Sequence, residues 1–248
     1  MMEVHHHPKM EKKNFKEYFL EFIMIFLAVT LGFLAESLRE NVTDNEKEKQ
    51  YIEGMLQNLK DDTAAMNNVL QENKLKVEKL KYTMSFSLKD LSDQKIRKEF
   101  YRSCNYIGYY SVFRSNDATM LQLKNSGGLR LIKKKNVADS IAAYDNVVKI
   151  ISAAETFYAN TTDYGIKAVR EVLDFSIGYD SSYYISDSLT NKPLVFITND
   201  PQKIKWLFNM IDYEIGATQN YILNIRRKLP FTIRLIDYLR KEYGFHEN

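Results

Sequence analysis

The sequence predicts an all-α protein: a single N-terminal transmembrane helix that continues into a long heptad helix and then into a helical-bundle extracytoplasmic domain. Three observations predict it. Gly and Pro number only nine and four in 248 residues, and such scarcity of turn formers favours long helices over a many-stranded sheet. Residues 22–35 read FIMIFLAVTLGFLA, without a charge. From 44 to 84 the apolar positions recur with a heptad period. The composition, 45% hydrophobic and 27% charged, is close to that of an ordinary globular chain and excludes wholesale disorder, a collagen-like repeat and a polytopic transporter. The 35 basic and 32 acidic residues are interspersed, so no polycation for nucleic acid is present. Cys104 is the single cysteine and can form no intrachain disulfide.

Taken in order, residues 1–14 form a tail carrying His5, His6 and His7 before Pro8. Adjacent imidazoles offer nitrogen ligands to a divalent transition metal such as zinc, nickel or copper, particularly where an oligomer gathers several copies. A plain polar tail and a tag remnant are the bland readings. Residues 22–35 alone span about 21 Å, too short for a bilayer, whereas 15–38 reach a spanning length for a core of about 30 Å. The extension takes in Lys16, Glu17, Glu21 and Glu36. Lys16 and Glu17 can reach the interface; Glu21 does so less easily. A cleavable signal peptide is the rival, but no small-x-small site follows and the helical pattern continues into Glu36 and Arg39, so an uncleaved anchor is expected. Lys9, Lys12, Lys13 and Lys16 precede the span and only Arg39 follows within ten residues. This places the N-terminus in the cytoplasm and residues 39–248 outside, in the periplasm of a Gram-negative cell with the anchor in its inner membrane.

On a helical wheel Glu21, Ile25, Ala28, Gly32, Ala35, Glu36 and Arg39 share one face of this segment. The Ala28-x-x-x-Gly32 spacing lets two backbones approach closely, and burying Glu21 in lipid costs about 2–3 kcal/mol, which favours a partner helix or water beside it. Self-association through this face is the economical expectation. A carboxylate that merely reaches the headgroups is the alternative.

Beyond the membrane segment, Ile52, Leu59, Met66, Asn73 and Leu80 fall on one seam position and Leu56, Thr63, Leu70, Val77 and Met84 on the other. The helix either winds on copies of itself or forms the spine of an antiparallel bundle. Residues 95–113 return to helical spacing with Phe100, Tyr106, Tyr109, Tyr110 and Phe113 as an aromatic core stripe. Asn116-Asp117 reads as an N-cap for a short helix ending at Ser126-Gly127-Gly128. Lys133, Lys134 and Lys135 read as a solvated turn, with an anionic lipid or partner as the minor alternative. Asn136 then caps a helix carrying Val137, Ile141, Tyr144, Val148 and Ile151, and 161–175 forms a further amphipathic segment. Residues 176–200 are an irregular excursion containing one apolar run, 194–198, readable as a strand or a packed loop. Asp200-Pro201 opens a helix to about Lys228, Pro230 breaks or kinks it, and a last helix ends at Gly244.

The opening residues, Glu3-Val4-His5-His6-His7-Pro8, Lys13-Asn14-Phe15-Lys16-Glu17-Tyr18-Phe19-Leu20-Glu21-Phe22, Phe26-Leu27-Ala28-Val29-Thr30-Leu31-Gly32-Phe33 and Ala35-Glu36-Ser37, resemble a family of bacterial single-pass membrane proteins of unknown function. Residues 121–132, LQLKNSGGLRLI, are similar to that family's central segment. The resemblance covers about forty residues of the first half and a dozen in the middle; it implies that the triple His is native and implies no activity.

No Walker loop, dinucleotide-binding glycine turn, nucleophile elbow, zincin helix or paired-cysteine metal motif occurs. The expectation is therefore a non-enzymatic, membrane-anchored homo-oligomer that acts as a scaffold or binding module. Its expected partners are the bilayer, copies of itself and other membrane proteins. From another class, a small ion channel or an ion-driven force-transmitting subunit would place Glu21 near the oligomer axis.

Overall fold

The computed structural model describes residues 14–177 and 193–245; His5, His6 and His7 lie outside them. Five helices, α1 (Phe15–Met84), α2 (Gln94–Ser103), α3 (Ala118–Asn125), α4 (Lys135–Val172) and α5 (Pro201–Tyr243), are joined by short 3-10 turns and loops. Among the described residues there is no strand; the apolar run 194–198 is a packed loop that makes one antiparallel bridge, Leu173 with Phe196. The chain divides into two compact units, Met1–Gln50 and Tyr51–Asn248.

In the first unit α1 begins where Asn14 stops the chain. The Glu17 backbone N–H donates to the Asn14 carbonyl, and the Glu17 carboxylate accepts the Asn14 N–H at 3.2 Å. This is half of a capping box. Polar groups inside the apolar segment turn back on the helix: the Thr30 hydroxyl donates to the Phe26 carbonyl at 2.8 Å. Such a bond lets a hydroxyl sit on an apolar helix without an unmet donor.

In the second unit the predicted seam is filled by the chain's own helices. Ile52, Leu59, Met66, Asn73 and Leu80 are fully buried, with Leu56, Leu70 and Val77 close behind. A third row, Met55, Asp62, Val69, Lys76 and Thr83, spaced by seven, is buried as well. Three buried positions per heptad make the broad stripe of a globular bundle, whereas a two-stranded coiled coil needs only the narrower two-position seam. Of the two readings left open by the periodicity, the monomer's own core is the one this face serves.

The connection after α2 departs from the sequence expectation. Helix does not continue to 113; it stops at Ser103, and Gly108 turns the chain with φ +88°. The reason lies in α1, whose buried polar side chains take the carbonyls that a helix would have used. Thr83 donates to the Ser103 carbonyl at 2.9 Å, Lys76 to that of Tyr109 at 2.6 Å, and Asn73 to that of Ser111 at 2.9 Å. Phe100 and Phe113 are still core, as the aromatic stripe implied, while Tyr109 and Tyr110 lie at the surface, 39% and 40% exposed.

Other local details also differ from the sequence expectation. Asp117 precedes α3 but makes no side-chain cap; Asn58 of α1 accepts the Thr119 N–H at 3.1 Å instead. Asn136 lies within the first turn of α4, not at its cap, and α4 joins the two amphipathic segments into one helix of 38 residues. Lys134, expected in a solvated turn, reaches the Glu242 carboxylate at 2.9 Å and lies over the Tyr243 ring. Pro230 sits inside α5 without ending it, at the cost of one ladder bond. The start and end of α5 follow the expectation: Asp200 accepts the Gln202 N–H at 2.9 Å, and Gly244 closes the helix in the left-handed region at φ +66°.

Candidate functional site

The structure places the residues of the predicted membrane face on α1, in the first unit. Ala28, Gly32, Ala35, Glu36 and Arg39 are exposed and Glu21 is half-buried. A Cβ built on Gly32 meets nothing within 4 Å, so the small-residue spot is open. Glu36 and Arg39 bind each other along the helix, with Arg39 Nε donating to Glu36 Oε2 at 2.9 Å. Each therefore has a neutralising neighbour before any second helix arrives. The proposed histidine metal site lies outside the described residues, and among those residues no group of three or more His, Cys, Asp or Glu is placed to hold a metal ion.

A second centre, in the body, was not singled out from the sequence. Lys76 of α1 and Glu214 of α5 form an ion pair at 2.7 Å with both side chains fully buried. Lys76 Nζ also donates to the Tyr109 carbonyl, to the Tyr158 hydroxyl at 3.1 Å and to the Thr162 hydroxyl at 3.3 Å. The Tyr158 hydroxyl in turn donates to Asn73 Oδ1 at 2.8 Å, so α1, α4 and the 104–116 connection are tied at one point. Glu214 Oε1 accepts the Gly108 N–H at 3.3 Å, while Oε2 has no hydrogen-bond partner. Gly165 makes room for that oxygen: a Cβ there would come within 2.3 Å of it.

Burial is the largest influence on both charges. It pushes the Glu214 carboxyl up, against the pull of Lys76, and it pushes the Lys76 ammonium down, against the pull of Glu214. Withdrawing two charges from water costs as much as their attraction returns, so such a pair contributes little net stability. What it supplies is position, since each group has one place where its partners are met.

The same logic repeats two heptads earlier in the same row of α1. Asp62, buried in the third row of α1, accepts from the Ser115 hydroxyl at 2.6 Å, the Asn116 N–H at 2.6 Å and the Tyr144 hydroxyl. Burial and the Asp62 charge hold the Tyr144 phenol well above its usual range. A helical wheel of α5 marks Glu214 as a buried position, because it falls on the stripe of Ile211, Ile215 and Thr218. Lys76 and Asp62 carry a similar signal, the period-seven row beside the seam.

Among the clefts on the body are two formed by described residues. One of about 940 Å³ is walled by Gly108, Ile166, Arg170 and Asp174, with Cys104 beneath. Burial pushes the Cys104 thiol far up, which keeps it protonated and unreactive. The other, of about 590 Å³, lies between the Met84–Ser92 turn and the first turns of α5. Compared with known proteins, the chain matches no family model, no curated protein and no solved structure.

Proposed function

We propose that the protein is a single-pass, membrane-anchored, non-enzymatic binding module or scaffold whose helical body lies outside the cytoplasm. The observation that carries the reading is the outer surface of α1 between Phe15 and Leu38. Phe19, Phe22, Ile25, Leu31 and Phe33 are each more than half exposed, with further apolar neighbours between them. This is the one helix among the described residues that is long and apolar enough to cross a membrane. Each such side chain left in water costs about 1.5–3 kcal/mol relative to burial, and a bilayer removes that cost.

The body supports the binding-module part of the reading. Its buried charged residues are directed inward, Lys76 and Glu214 at each other and Asp62 at Ser115, Asn116 and Tyr144, as structural groups are. Self-association is assigned to the Ala28–Gly32 face, because the heptad stripe is already filled within the second unit. The lysines before the span and their scarcity after it support an N-terminus in the cytoplasm.

Extraction decides the anchor: the protein should stay with membranes in high salt and at alkaline pH and leave only with detergent. Release by salt or alkali refutes it. A cysteine introduced at Gly32 should crosslink two copies in membranes, and the absence of any crosslinked species refutes self-association through this face. Protease added outside should degrade the body in spheroplasts but not in intact cells.

A further inference from the structure

We propose that the 590 Å³ cleft of the body binds a small amphipathic anion, a phosphate or carboxylate group carried on a compact apolar or aromatic moiety; this deepens the binding-module reading and rests on it. The cleft is of the size that holds small ligands. Its apolar wall comes from Met84, Leu91, Ile204 and Phe208, with Phe196 beside Arg97. Its charged lining is Lys89, Arg97 and Lys205 against the single carboxylate of Asp90.

Arg97 is the fixed element. Its Nε donates to the Leu91 carbonyl and one terminal nitrogen to the Leu194 carbonyl, both at 2.8 Å, and the guanidinium stacks over Phe196 at 4.8 Å. These partners are neutral, and the other terminal nitrogen still has donors for a ligand oxygen. Lys89 is the second cation of the lining and lies 4.1 Å over the Phe86 ring. Neither Lys89, Arg97 nor Lys205 forms an ion pair among the described residues. The Ser92 hydroxyl, and then the Ser92 N–H at 2.9 Å, hold Asp90 and keep its carboxyl below the usual range. Three cations around an apolar wall, opposed by one anion, select a ligand with a negative head and an apolar body. A neutral apolar molecule would leave the cations unmet, and a bare anion would leave the wall in water.

The test uses the full chain in detergent and three probes: phenyl phosphate, phenol and inorganic phosphate. Binding is followed by calorimetry and by the emission of Trp206, the protein's single tryptophan, which adjoins Lys205. Phenyl phosphate should bind at least tenfold tighter than either of the others. The exposed lysines permit a harmless variant: Lys89→Gln with Lys205→Gln should weaken phenyl phosphate about tenfold, while Asp90→Asn should tighten it. Phenol binding as well as phenyl phosphate, inorganic phosphate binding as well, or an unchanged affinity in the double variant overturns the proposal. Membrane extraction of the same proteins separates the two claims: loss of anchoring with binding intact defeats only the membrane reading, and retained anchoring without binding defeats only this one.

Discussion

Replacing Lys76 with methionine leaves the shape of the side chain nearly unchanged but strands the Glu214 carboxylate in a fully buried site. Glu214 Oε2 already has no hydrogen-bond partner, and the Gly108 N–H at 3.3 Å would be the chief contact left to the carboxylate. The Tyr109 carbonyl and the Tyr158 and Thr162 hydroxyls would lose their donor at the same stroke. Breaking one side of a buried pair costs about 3–5 kcal/mol. For a body of this size that lowers the melting temperature by roughly 6–20 °C. Lys76→Met combined with Glu214→Leu removes both charges and should regain more than 1 kcal/mol of the loss. Acid should help the single variant. Burial raises the Glu214 carboxyl above its ordinary 4.5, and removing Lys76 raises it further, so the native state binds more protons than the unfolded one. Its stability deficit relative to wild type therefore shrinks as pH falls from 7 through the raised value towards 4.5. Urea or thermal unfolding followed by circular dichroism measures all three proteins. A deficit below 1 kcal/mol for Lys76→Met, a double variant as weak as the sum of the singles, or a deficit that grows in acid would each refute the reasoning.

Gly165→Ala should destabilise the body by about 1–3 kcal/mol, because the new methyl falls 2.3 Å from Glu214 Oε2; the same change in a Glu214→Ala background should cost less by thermal unfolding. Asp62→Ala leaves the Tyr144 and Ser115 hydroxyls and the Asn116 N–H without their acceptor. It should cost at least about 2 kcal/mol and speed hydrogen exchange at the Asn116 amide, where unchanged exchange would contradict the assignment. Glu21→Gln should leave the crosslinked oligomer intact, since an amide still bonds across a helix interface. Reconstituted wild type should show no ion flux; flux that Glu21→Gln reduces would instead favour a conducting axis.

Much of the architecture was legible because helix periodicity is a local signal. The heptad stripe, the Asp200-Pro201 start and the Gly244 stop all read correctly, as each depends on residues within a turn or two. The path of residues 104–116 did not. Tyr106, Tyr109 and Phe113 keep helical spacing, but the shape there is decided by Asn73, Lys76 and Thr83, which lie more than twenty residues earlier and draw the carbonyls out of any helix. The break offered at Pro230 does not occur, for the converse reason: a helix anchored on both sides by Ile225, Leu235 and Leu239 in the core tolerates one missing bond. The Lys76–Glu214 pair stayed hidden because 138 positions separate its members and each alone resembles a surface charge. The period-seven row in α1 and the wheel of α5 held the clue.

The connection after α2 also bears on how the chain is made. Synthesis delivers Lys76 and the Tyr109 carbonyl early, Tyr158 and Thr162 about fifty residues later, and Glu214 only after roughly fifty more. Until Glu214 emerges, the ammonium has no counter-charge and no reason to leave water, so the loop that it organises stays unmade. The Lys76 contact to the Tyr109 carbonyl is therefore expected to form only once α5 is in place. A chain that ends before α5 is expected to leave part of the α1 apolar stripe without its cover, and such uncovered surface makes a truncated chain prone to aggregate.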